Sequence, residues 1–180
     1  MKPFLRRGLF AASTLTLFAW SAFAQFGATS STTLAVTVGA EGAISVTTGS
    51  TALAAAGTNF ANPFTGTTSF LFKMRTTKTG GTGTLTLKVT TDFPATGGPS
   101  VGAAINGDTL TYTCTAASGT PCATVQTAST TSQTSVATWG ADAHSAASGD
   151  AGTVVWSLTN DPAYKTGVYN ATVTFTISAT

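Results

Sequence analysis

Between residues 168 and 180 the chain alternates strictly. Tyr169, Ala171, Val173, Phe175 and Ile177 fall on one parity, and Asn170, Thr172, Thr174, Thr176 and Ser178 on the other. A period of two over this length predicts a half-buried β-strand, apolar side to the core and hydroxyls to water. The same period recurs upstream. Phe70, Phe72 and Met74 alternate with Leu71, Lys73 and Arg75, and Leu85, Leu87 and Val89 with Thr86, Lys88 and Thr90. With the glycine-rich residues 79–83 between them, these two runs predict a hairpin. Residues 153–159 present Val154, Trp156 and Leu158 inward, and residues 133–139 give a strand of poorer alternation.

Leu34, Val36 and Val38 predict a first strand, residues 39–42 a turn, and Ile44 and Val46 the start of a second. Residues 49–66 break the period and predict a loop, with one helical turn near 53–56, that packs Phe60 and Phe64 on the edge of the fold. Asn106-Gly107 is a favoured type I′ dipeptide. It joins residues 101–105 to a strand at 109–115, and a short strand is expected at 122–128. Eight to ten short strands with no convincing helix predict an all-β fold, an antiparallel β-sandwich of Ig-like or Greek-key type. A closed barrel is the second choice.

The N-terminus carries a different pattern. Lys2, Arg6 and Arg7 precede an apolar run from 8 to 20, and Ala22-Phe23-Ala24 forms a small-residue cleavage site. Residues 1–24 therefore read as a secretory signal peptide, leaving 25–180 as a single exported domain. Arg6-Arg7 partly matches a twin-arginine signal, but ordinary export fits the strongly apolar run better. No membrane span is expected in the mature form, whose address is periplasmic, cell-surface or extracellular.

Loss of the leader changes the charge. Three of eight basic residues leave against six acids, so net +2 becomes −1. With no basic patch left, nucleic acid is not an expected partner. Roughly a quarter of the mature residues are threonine, a β-branched residue whose hydroxyl solvates a sheet face without charge. Cys114 and Cys122 enclose residues 115–121, and in an oxidising compartment they predict one structural disulfide. A redox pair would want closer spacing and a neighbouring cation.

Candidate chemistry is sparse. Asp142, His144 and Asp150 are the nearest approach to a metal set, yet their spacing matches no established loop. His144 is the only histidine, so a nucleophilic triad would rest on it alone, and no catalytic residues and no cofactor are assigned. All six acids sit beside turn signals, where side chain–backbone bonds explain them. Trp139 and Tyr164, near loops, are the candidate ligand contacts for an envelope polysaccharide. Trp156 and Tyr169 are expected in the core.

The run Gly167-Val168-Tyr169-Asn170-Ala171-Thr172-Val173-Thr174-Phe175 resembles the closing strand of exported bacterial Ig-like subunits, including chaperone–usher fimbrial subunits and spore coat protein U-like domains. The resemblance implies a structural or adhesive surface subunit that assembles by adding a neighbour's N-terminal strand to an incomplete sandwich. Leu34, Val36 and Val38 then become candidate donor-strand knobs, and the partners homo-oligomer or filament neighbours. The same three residues also suit the first strand of their own sandwich, and the sequence leaves pairing in cis or in trans open.

Overall fold

The computed structural model describes residues 29, 31–94, 96–102 and 108–180. The expected signal peptide and the Asn106-Gly107 turn lie outside these residues. Residues 37–180 form one compact unit. It contains ten β-strands and, among the described residues, no helix: β1 Glu41–Val46, β2 Ala54–Ala55, β3 Phe64–Arg75, β4 Gly83–Thr91, β5 Leu110–Ala116, β6 Thr120–Pro121, β7 Gln126–Thr127, β8 Thr134–Trp139, β9 Asp150–Leu158 and β10 Thr172–Ala179.

These strands make two packed antiparallel sheets, so the molecule is an all-β sandwich. One sheet runs β1-β3-β9-β5-β7, with β2 also paired to β3; the other runs β10-β4-β8-β6. The inner faces follow the predicted alternation. Phe70, Phe72 and Met74 of β3, Leu110 and Tyr112 of β5, and Val154, Trp156 and Leu158 of β9 face Leu85, Leu87 and Val89 of β4 and Val136 and Trp139 of β8, all buried. The polar atoms of Trp156 and Tyr112 are paired inside, as burial demands, whereas the buried Trp139 Nε1 has no hydrogen-bond partner. Trp156 Nε1 donates to Thr68 Oγ1 at 2.8 Å. The Tyr112 hydroxyl lies 2.7 Å from Thr134 Oγ1 and 2.8 Å from the Ser135 carbonyl oxygen.

The outer faces carry hydroxyls in register. Ser178, Thr84, Thr138 and Thr120 stand opposite one another across all four strands of the smaller sheet. Cross-strand bonds join Thr84 to Ser178 at 2.8 Å, Thr90 to Thr174 at 3.0 Å and, on the other sheet, Thr115 to Thr153 at 2.7 Å.

Several local expectations are corrected. The hairpin of β3 with β4 does not form, because the two strands lie in different sheets. Their apolar faces look at each other across the core, where a Cβ on Gly83 would fall 2.8 Å from Met74 Sδ. Residues 76–82 arch between the layers, tied down by Thr77 N to Thr180 O at 3.0 Å and Thr76 Oγ1 to Gly140 O at 2.7 Å. The weak alternation of β8 has a cause: its register with β4 passes from Leu85↔Ala137 to Thr86↔Ser135 and skips Val136. At this bulge Val136 and Ala137 are both buried.

The turn expected at 39–42 is instead the entry to β1, whose Glu41 and Gly42 pair with Arg75 and Met74. The helical turn near 53–56 is replaced by β2, and Phe64 belongs to β3 rather than to the preceding loop. Phe60 is exposed at positive φ. The strand expected at 122–128 shrinks to the two residues of β7. The terminal strand begins at Thr172, after an irregular stretch that holds Tyr169.

Candidate functional site: an open cleft and an unpaired arm

The sandwich is closed along one long side and open along the other. On the closed side the expected disulfide has formed, with Cys114 on β5 of one sheet and Cys122 beside β6 of the other at a Cα separation of 5.5 Å. It bridges the layers rather than the arms of a hairpin. On the other side lie β1 and β10, each the outer strand of its sheet, and β10 pairs with β4 alone among the described strands.

Here β1 is too short to finish the job. It covers only the Phe70–Arg75 half of β3, while β2 touches just Phe64 and Thr65. Where β1 is present, Gly42 closes onto Ile177. Beyond its end the layers part, leaving a cleft of about 910 Å³ lined by Leu53, Phe64, Trp156, Val173 and Phe175. The alternation of β10 is as predicted, but Val173, Phe175 and Ile177 are only half-buried. Phe175 has one aromatic partner, Phe70, at 5.7 Å between centroids. Val173 and Phe175 are aimed at a core that, among the described residues, has no strand on their outer flank.

The mouth of the cleft is an ordered rim. Tyr164 donates its hydroxyl to Asp108 Oδ2 at 3.0 Å. Burial, then this bond and the charges of Asp108 and Asp161, push the phenol well above its ordinary range, so it stays a neutral donor. Tyr169 donates to the Lys165 carbonyl at 2.9 Å, and Lys165 N donates to Gly97 O at 2.7 Å. Facing this rim, the carboxylate of Asp92 accepts from Phe93 N, Val101 N, Gly102 N and Ser100 Oγ at 2.8 to 2.9 Å. Burial alone would raise its pKa, but those bonds together outweigh burial and hold it below the ordinary carboxylate value.

The segment holding Leu34, Val36 and Val38 forms no strand; residues 31–40 are irregular, and the three side chains are 92%, 87% and 63% exposed. The expectation of a first strand within the sandwich is thus not met. The root of this arm is held. Arg75 Nε donates to Gly39 O at 2.6 Å, and Arg75 Nη2 pairs with Glu41 Oε2 at 3.0 Å. A positively charged donor makes such bonds short and directional.

Trp139 is 6% exposed and packs on Phe72 at 5.0 Å, so its indole has no face to offer a sugar. Tyr164 stands at the cleft mouth. His144 Nδ1 lies 3.1 Å from the Asp142 carbonyl, and Asp150 Oδ1 accepts from Ala146 N at 3.2 Å. Among the described residues no three His, Cys, Asp or Glu side chains gather as a metal set. Ser145 Oγ accepts from Met74 N at 2.9 Å.

Sequence reasoning missed the cleft. Its walls come mainly from residues 46–53 and 160–175, which are distant in the chain and read separately, the first as a strand end and loop, the second as a turn and the terminal strand. No family model matches the chain, and no curated protein or solved structure matches it either. Among the described residues no helix is long and apolar enough to cross a membrane.

Proposed function

We propose that this protein is an exported, non-catalytic structural or adhesive subunit, and that its copies join by β-strand addition. The arm at 31–40 of one copy lies along the free edge of β10 in another and sets Leu34, Val36 and Val38 into the cleft. The observation that carries this reading is the pairing of two incomplete features in one chain. An outer strand keeps half-buried Val173 and Phe175 over an open apolar cleft. An irregular segment exposes three apolar residues at the same period of two. Strand addition satisfies both, main-chain bonds giving affinity and alternate side chains giving register. It also covers an edge that carries few charged gatekeepers. The leader and the disulfide support export.

The alternative is a module that binds glycan or another envelope polymer. It rests on Tyr164 at the cleft mouth, since Trp139 is withdrawn into the core.

Deletion of residues 25–39 from the mature protein tests the reading. The expected result is a folded β-rich monomer by circular dichroism and light scattering, where the intact chain forms larger species. An unchanged size distribution would refute strand addition.

A further inference from the structure

Two features at opposite ends of β10 border the strand-addition contact, each extending beyond the segment that enters the cleft. One is a recess of about 340 Å³ at the arm's root, lined by Val38, Ala40, Arg75, Lys78, Asp142 and His144. The other is Val168, whose side chain is 86% exposed on the rim of the cleft. Among the described residues of 37–180 it is the most exposed of the large apolar side chains. It is not on a loose loop, because Lys165 and Tyr169 on either side are both bonded into the rim. The eight residues of β10 separate the two features by about 25 Å at strand rise.

The geometry of entry brings them together between copies. The cleft closes where Gly42 meets Ile177 and opens at the 160–170 rim. An arm that enters with Leu34 ahead of Val38 therefore leaves its own body outside the mouth, with Leu34 deep and Val38 at the rim. That arm has no slack. Gly39, the residue after Val38, is bound to Arg75 of the donor's own body, and one residue spans no more than about 3.6 Å. Seating Val38 presses the root of the donor against the rim of the acceptor.

We propose that the root recess of one copy receives Val168 and its rim from the next, a body-to-body contact that accompanies the inserted strand. The inference rests on the strand-addition reading and adds to it a second surface and a direction. Recess and Val168 are different surfaces at opposite ends, so the contact is head-to-tail and leaves each added copy with a free rim or a free root. Such a contact propagates.

The test uses full mature chains. Val168→Asp spoils the rim and Ala40→Arg fills the recess. Each alone is expected to weaken assembly at least tenfold by light scattering. An equimolar mixture joins the intact root of Val168→Asp to the intact rim of Ala40→Arg, and is expected to give pairs that neither variant forms alone. A labelled peptide of residues 29–40 is then titrated into full chains carrying Leu34→Ser, Val36→Ser and Val38→Ser, with and without Val168→Asp. Equal affinity, within twofold, shows that Val168 acts outside the cleft.

Wild-type assembly by Val168→Asp, a mixture that stays monomeric, or a parallel loss of peptide affinity would each overturn the inference. Failure of the strand-addition reading looks different: the triple-serine chain would assemble like the wild type and capture no peptide.

Discussion

Gly42 and Ile177 meet where the two layers close. A Cβ on Gly42 would lie 3.3 Å from Ile177 Cγ1 and 3.6 Å from Cγ2. The pair joins the outer strands of both sheets and fixes where the cleft ends. Gly42→Val forces branched carbons into this contact, and overpacking of this kind costs about 1–3 kcal/mol. We expect a lower urea midpoint for Gly42→Val, with an unchanged m-value.

Phe175 and Phe72 occupy equivalent inward positions on strands of opposite sheets, yet Phe72 is fully buried and Phe175 only half-buried. Phe72→Ala should cost about 3–5 kcal/mol. Phe175→Ala should cost the isolated subunit clearly less, because part of its surface is already wet. Adding the 29–40 peptide should raise the penalty at Phe175 and leave that at Phe72 unchanged. Urea titrations with and without peptide measure both.

Asp92 ties down the segment facing the cleft rim through four hydrogen bonds to its charged form. Its folded pKa lies below the ordinary aspartate value of 3.8. The stability it contributes is therefore fully present above that value and drains away as pH falls through the lower folded pKa. Asp92→Asn should be less stable than wild type at pH 7, and the gap should narrow below about pH 4 as the wild-type carboxyl titrates. Denaturation series at the two pH values check the sign.

Reduction of the Cys114–Cys122 bond releases a short loop that bridges the layers on the closed side of the sandwich. Loop-closure entropy for this spacing is worth about 2–3 kcal/mol. Cys114→Ser with Cys122→Ser should lower stability by that amount and retain the β-sheet spectrum. Dithiothreitol should shift the urea midpoint of the wild type and leave that of the double variant in place.

Strands whose inner and outer faces differ were readable from residue order alone. The parity of Phe70, Phe72 and Met74, of Leu85, Leu87 and Val89, and of Val173, Phe175 and Ile177 all match the structure. Partnership was not readable, because alternation says which way a side chain points and nothing about which strand lies alongside. Thus β3 and β4, neighbours in sequence, face each other across the core. The bulge at Val136 hid β8 by breaking its period. The arm misled for a related reason: Leu34, Val36 and Val38 have the pattern of a strand, but a pattern does not supply an edge to pair with. The cleft had no local signature, since it exists only where β1 stops short of the length of β3.

The rows of threonine and serine across both outer faces have one more consequence. Ionic strength acts on proteins by shielding one charge from another, and hydroxyls give dissolved ions nothing to shield. Lateral cohesion between the hydroxyl rows would change less between fresh water and brine than cohesion between charged faces.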